Sequence, residues 1–461
     1  MIPGEIDLAK RNPVGLRMSL PKTLTTLDLV FLIVGTVIGS GIFLVPGQIL
    51  RSVQHRVGMA LLVWVSGGLL SLLGALTYGE LAALKPHAGG LYVYIRDCFG
   101  RPLAFLYGWA LFFMIGSGSV ATLAVAFSTY FRQVIPLTDV AARVSTVVMI
   151  AVVALLNVIG TRKSANVQNA ATVLKVAAIA AMTAALLYLA RGHGAWEAPA
   201  ASTGSLASGF GVAMISVLWA YEGWQYCTFS AGEAVDPQRS FPRAFLVGSL
   251  TLIAIYVVTN LGYIAALGSA GAAASDRVAA DAMRAVGGST AASLVTIPIL
   301  ISIFSAANGL VLTAPRVYYA MANDRVFFRK LGEVHPRFKT PAVAVVAGCA
   351  WAAVLAATGT FEQLLTYVVF TGWIFYGLGA ATVFAYRRRE PDAPRAYRVP
   401  GYPWTPLLFV VAAGALAVTT IIAQPRRAAV GLGLVITGAP AYLIWRRRVS
   451  APETGSATID G

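Results

Sequence analysis

Long apolar stretches alternate with short polar ones along the whole chain. Windows of about 20 mostly apolar residues, the length a helix needs to cross a bilayer, fall near 28–50, 57–83, 102–132, 144–161, 165–190, 208–231, 244–268, 290–323, 341–358, 362–386, 405–423 and 428–445. This pattern predicts an all-α integral membrane protein with about twelve transmembrane helices. Several windows exceed the minimum length, which leaves room for tilt.

The first window is a poor helix at its centre. There the chain reads Gly35-Thr-Val-Ile-Gly-Ser-Gly41, and Gly39, Ser40 and Gly41 disfavour helix in the solvent where open backbone is most costly. Interrupted membrane helices are stable where the freed amides and carbonyls face a cavity or ligand, so the break reads as a binding site. The competing reading is a small-residue seam for close helix packing. A second break, Tyr221-Glu222-Gly223, interrupts the sixth window. An offset of five spans reverses orientation across the bilayer, which is how inverted repeats bring two broken helices face to face. The expected organisation is therefore a cytoplasmic segment 1–27, a five-helix repeat 28–190, an inverted repeat 208–386, two further helices in 405–445 and a cytoplasmic tail 446–461.

Composition agrees, with 12% charged residues, 57% hydrophobic residues and a mean hydropathy of +0.73. The net charge of +16 is explained by topology. With the N-terminus inside, about 24 of the 35 Lys and Arg are cytoplasmic and about 9 are outside, as the positive-inside rule requires. Both termini are expected in the cytoplasm of a cell (inner) membrane protein, and no nucleic acid is needed to account for the charge. Lys10, Arg11, Arg17 and Lys22 precede the first span without a signal-peptide cleavage pattern, so that span is read as a retained anchor. Cys98, Cys227 and Cys349 lack paired spacing, and His55, His87, His193 and His335 are scattered. Free thiols, no metal and no cofactor are expected. No nucleophile–base pattern points to an enzyme.

Gly35-Thr-Val-Ile-Gly-Ser-Gly-Ile-Phe43 is similar to the first-helix motif of the amino acid–polyamine–organocation transporters. Leu218-Trp-Ala-Tyr-Glu-Gly-Trp224 resembles the sixth-helix motif of their L-type amino acid transporter branch, especially its prokaryotic members. Gly79-Glu-Leu-Ala-Ala-Leu-Lys-Pro-His-Ala-Gly-Gly-Leu-Tyr-Val-Tyr-Ile-Arg96, Gly232-Glu-Ala-Val-Asp-Pro-Gln-Arg-Ser-Phe-Pro-Arg243 and Pro315-Arg-Val-Tyr-Tyr-Ala-Met-Ala-Asn-Asp324 resemble further blocks of that family, so the likeness runs from about residue 28 to 340. The resemblance implies a leucine-transporter-type fold with five-plus-five inverted helices, carrying amino acids by alternating access.

Physical chemistry gives the breaks a role. Free amides at Gly39, Ser40 and Gly41 offer partial positive charge to a carboxylate, and carbonyls near Val37 and Ile38 suit an ammonium. The resemblance puts a substrate carboxylate on the Ser40 and Gly41 amides and its ammonium on carbonyls of Val37, Trp219 and Glu222. It also makes Trp219 an aromatic gate, against the plainer reading of a packing tryptophan. Ala220, Tyr221, Gly223 and Trp224 are candidate pocket wall. Glu222 has three competing uses: bonding the unwound segment, shaping the pocket or carrying a proton. Lys175 is an isolated charge within the fifth span. By resemblance to sodium-independent members, its ammonium occupies the place of a coupling cation. A lysine snorkelling to the headgroups and a proton-coupling lysine are the alternatives.

Ser302, Ser305 and Asn308 either line the cavity or bond backbone, with backbone bonding favoured. Glu80, Arg96, Glu233, Asp236, Arg239 and Arg243 are inner-gate candidates, or else solvated loop charges. The loop Arg132–Ala141 carries no cysteine. By the resemblance, no disulfide-linked ancillary subunit is expected. These observations point to a sodium-independent exchanger of small or medium neutral L-amino acids. A proton-coupled symporter is the alternative, and a non-transporting amino acid sensor, for which residues 449–461 make a short tail, the reading from another class.

Overall fold

The computed structural model describes residues 20–190 and 205–450; Lys10, Arg11, Arg17, His193 and residues 451–461 lie outside the described residues. The first span comprises α1 (Thr26–Val37), α2 (Gly41–Leu44) and α3 (Pro46–Ser52), and the second is α4 (Val57–Leu84). A short α5 (Leu91–Phe99) precedes α6 (Arg101–Ala110), which runs through a π-helical turn, Leu111–Ile115, into α7 (Gly116–Val134). Next come α8 (Asp139–Ile159) and α9 (Thr161–Leu189). The sixth span is α10 (Leu206–Ala220) followed by a 3₁₀ stretch, Trp224–Glu233. Beyond it lie α11 (Pro237–Ala274), α12 (Val278–Thr313), α13 (Pro315–Asn323), α14 (Ala342–Thr358), α15 (Phe361–Arg389), α16 (Trp404–Ala423), α17 (Pro425–Ile436) and α18 (Gly438–Ser450).

Among the described residues, eleven helical stretches are long and apolar enough to span a bilayer, and Ala342–Thr358 is a shorter apolar helix. Twelve helical segments thus coincide with the twelve apolar windows, and the protein is an all-helical, multi-pass membrane protein. Two features escape the hydropathy pattern. The amphipathic α5 lies between spans, and α11 and α12 overrun their windows through the alanine-rich segment 269–289. Alanine favours helix there even where hydropathy falls. Each overrun bends at a glycine in the left-handed region, Gly268 (φ 68°) and Gly288 (φ 73°).

Local chemistry sets both ends of α1. Thr25 and Asp28 form a capping box: the Thr25 hydroxyl accepts from the Asp28 amide at 3.3 Å, and the Asp28 carboxylate accepts from the Thr25 amide at 2.8 Å. The other end unwinds where Ile38 leaves helical geometry (ψ 87°) and the Gly39 amide turns back to the Val37 carbonyl at 2.8 Å. Pro46 then begins α3 without needing a helical donor. α1 is buried against α9, α11 and α12, and α10 packs on α3 and α4. The two breaks meet in the middle of this arrangement.

Candidate functional site

Gly41 lets the breaks touch. A Cβ at position 41 would lie 2.5 Å from the Ala220 Cα and 2.7 Å from the Ala220 Cβ, so only glycine permits this backbone approach. Gly223 (φ 128°) turns the sixth span in a conformation that side chains disfavour, with its Cα against Thr36. The Tyr256 hydroxyl ties the two ends together, lying 3.0 Å from the Val37 carbonyl and 2.8 Å from that of Ala220. The Ser40 and Gly41 amides have no hydrogen-bond acceptor among the described residues.

These amides border a small cavity lined by Thr36, Val37, Gly39, Ser40, Gly41, Ser119, Leu123, Trp219, Glu222 and Leu310. The Trp219 indole donates to the Ser40 hydroxyl at 3.3 Å and meets the Phe361 ring edge-on, with centroids 6.3 Å apart. Of the expected wall, Tyr221 and Trp224 do not line this cavity. The Tyr221 ring packs against Trp64 and Tyr256, and that of Trp224 against Tyr78, Phe245 and Phe409. Ala220 lies under Gly41, and the Ile38 side chain is buried in the core. Ser302 donates to the Ile38 carbonyl, while Asn308 joins a buried network with Asn157, Ser164 and Gln168, so neither is cavity wall.

Lys175 is 1% exposed, far too buried to snorkel. Its ammonium has three protons and three acceptors: the carbonyls of Gly35 (2.7 Å), Ile38 (2.7 Å) and Ser302 (3.0 Å). It thus sits at the C-terminal end of α1, where partial negative charge favours a cation, and bridges the broken helix to α12. Glu222 is also buried. Its Oε1 accepts from the Tyr376 hydroxyl at 2.6 Å and the Gln225 amide at 2.7 Å, and Gln225 in turn accepts from the Gly223 amide.

At the end of the bundle where α4, the sixth span and α15 finish, three gate candidates are paired. Glu80 accepts from Arg387 (2.7 Å), lies 3.4 Å from Arg395 and caps the Val399 amide. Arg96 pairs with Asp324 at 2.7 Å. Glu233 pairs with Arg316 at 2.7 Å, both fully buried, and with the Thr161 hydroxyl. The Thr23 and Leu24 amides donate to the Glu233 carbonyl, fastening the N-terminal segment across this end. Asp236, Arg239 and Arg243 are exposed and make no ion pair among the described residues; Asp236 caps α11 instead. Nearby, burial pushes the Cys98 thiol up to about 11, which keeps it protonated and unreactive near neutrality.

Several residues of this assembly carry no signal in the sequence. Tyr256 and Tyr376 are ordinary residues of their spans until packing joins them to the breaks, and Arg316, a charge near the end of its span, shows its partner Glu233 only once the chain is folded. Asp28 is a partial exception, because its place three residues after Thr25 marks a cap. It also pairs with Arg162 at 2.6 Å.

Two interrupted membrane helices facing each other across a small cavity with a carboxylate in its wall define a membrane transporter. The chain belongs to the amino acid permease family, whose model matches residues 24–443. It is 30% identical over 432 residues to the serine/threonine exchanger SteT of Bacillus subtilis (strain 168), covering 93% of this chain and 98% of that protein. It is 27% identical to the large neutral amino acids transporter small subunit 2 of Oryctolagus cuniculus (95% and 83% covered). With the Homo sapiens cystine/glutamate transporter it shares 28% identity (96% and 89% covered).

Proposed function

We propose that the protein is a sodium-independent exchanger of small or medium neutral L-amino acids, working by alternating access around the cavity between the two breaks. The carrying observation is the pair of unpartnered amides at Ser40 and Gly41, which border the cavity between the two breaks. They suit a carboxylate that the bilayer interior would otherwise leave unsolvated. A relative named as a serine/threonine exchanger supports both the substrate size and the exchange mode. Sodium independence is supported by the Lys175 ammonium, which saturates the carbonyls of Gly35, Ile38 and Ser302 as a bound cation would.

In this reading the repeats are residues 28–190 and 208–386, and the bundle containing α1 and α10 moves against its surroundings. The ion pairs of Glu80, Arg96 and Glu233 form the inner gate. The chain lies in the cell (inner) membrane with both termini cytoplasmic, and it acts without a disulfide-linked subunit. The test is uptake of radiolabelled serine, threonine and alanine into proteoliposomes, with and without internal amino acid, sodium or a proton gradient. Stimulation by internal amino acid, independent of sodium, is the expected result. Uptake driven by a proton gradient without internal substrate overturns the exchanger.

A further inference from the structure

We propose that the Glu222 carboxylate is the counter-charge of the substrate's α-ammonium, so that the site selects amino acids over their 2-hydroxy acid analogues. The inference rests on reading the cavity as the amino acid site and adds the group that recognises the amine. Five of the main-chain carbonyls around the breaks are engaged already, leaving that of Glu222, on the same residue as the carboxylate, without a donor among the described residues. The Val37 carbonyl accepts from the Gly39 amide and shares the Tyr256 hydroxyl, the Trp219 carbonyl accepts from the Glu222 amide, and the Ala220 carbonyl accepts from Tyr256. Those of Gly35 and Ile38 hold Lys175. Glu222 differs from all of these. Both of its donors, Tyr376 and Gln225, go to Oε1, and Oε2 has none among the described residues.

Glu222 is also the one ionisable side chain lining the cavity. No described cation neutralises it, because the three protons of Lys175 are spent on carbonyls. A carboxylate within the membrane requires a partner, and a zwitterionic substrate brings one. Its ammonium meets Oε2 while its carboxylate meets the amides of Ser40 and Gly41. A hydroxy acid presents only a neutral hydroxyl to Oε2, and so loses the ion pair and leaves the buried carboxylate's charge uncompensated.

The experiment uses the full chain in proteoliposomes preloaded with L-alanine. It compares L-alanine with L-lactate, and L-serine with L-glycerate, as competitors of labelled uptake. The wild type is expected to prefer each amino acid over its hydroxy analogue. Glu222→Gln keeps the size and an acceptor for Tyr376, and is expected to raise the half-saturation of both amino acids about 10-fold or more. The hydroxy acids should be unaffected, so the preference collapses. Glu222→Asp keeps the charge and is expected to keep the preference.

Four results overturn the proposal: lactate competing as well as alanine in the wild type, equal losses for both ligand classes in Glu222→Gln, a loss confined to serine, or a preference lost equally in Glu222→Asp. Equal losses assign Glu222 to structure, and a serine-specific loss assigns it to the side chain. Absence of any amino acid exchange in the wild type is a separate outcome and removes the transport reading itself.

Discussion

Replacing Lys175 by Met tests whether its ammonium stands in for a coupling cation, because Met keeps the apolar stem and removes the charge and three donors. The three carbonyls do not suffer equally. The Ile38 carbonyl keeps the Ser302 hydroxyl at 3.0 Å. The Ser302 carbonyl lies within α12 and keeps a helical environment. The Gly35 carbonyl loses its donor outright, since the Gly39 amide that would serve it in a regular helix has turned to Val37. One orphaned buried acceptor costs about 1–3 kcal/mol. Placed on the ordered form of the break, that penalty cuts the binding-competent population about 5–150-fold. Half-saturation for exchange in Lys175→Met should rise by that factor, with the protein still inserted and monodisperse. Wild-type exchange should change by less than about twofold when choline replaces sodium. Strict sodium dependence of the wild type, or unchanged affinity in Lys175→Met, refutes the reasoning.

Other parts of the site make separate predictions. Gly41→Leu puts a Cβ 2.5 Å from the Ala220 Cα and should abolish substrate binding without preventing insertion, as should Ser40→Pro, which removes a free amide; unchanged affinity in a binding assay on either variant counts against the site. Arg316→Met leaves Glu233 charged and fully buried, which costs about 3–5 kcal/mol, so its thermal unfolding in detergent should fall sharply and adding Glu233→Gln should recover part of the loss. A single variant as stable as wild type contradicts this. Trp219→Ala removes the ring between Ser40 and Phe361 and should speed release of bound labelled substrate. An unchanged release rate denies Trp219 a gating role.

The features legible in the sequence are those that violate a membrane rule. Gly39-Ser40-Gly41 and Tyr221-Glu222-Gly223 stand out because apolar helices avoid such residues, and Lys175 because a charge is costly there. The resemblance set the breaks face to face and Lys175 in a cation's place, but the side-chain partners that answer the violations were not legible, since they come from distant spans. Tyr256 lies 219 residues from Val37, and Tyr376 lies 154 from Glu222. Aromatics near the second break also look alike in the sequence. Trp219 borders the cavity while Tyr221 and Trp224 turn into packing, and no helical phase carries across a break to tell them apart. The gate candidates divide for a similar reason: Glu80, Arg96 and Glu233 have basic or acidic partners on other spans, whereas Asp236, Arg239 and Arg243 face outward.

The fixed cation and the open carboxylate together give a physical reason for exchange over net flux. A carrier that returns without substrate must pass through a closed form in which the Ser40 and Gly41 amides and Glu222 Oε2 lack partners. Each unsatisfied buried group costs about 1–3 kcal/mol, so two of them already slow the empty return about 30-fold or more at 1.4 kcal/mol per tenfold. In the proposed site a zwitterionic amino acid supplies partners to all three at once, and the loaded carrier crosses without that barrier. In the proposed sodium-independent cycle Lys175 stays in the protein throughout, and no co-ion has to enter or leave with the substrate. On this account Glu222→Gln weakens the ammonium contact in the loaded form and lowers the desolvation cost in the empty one. It should therefore raise efflux into substrate-free medium relative to exchange, as the ratio of the two rates from one batch of preloaded proteoliposomes would report. An unchanged ratio means that the empty return is limited elsewhere, and that the carboxylate does not enforce exchange.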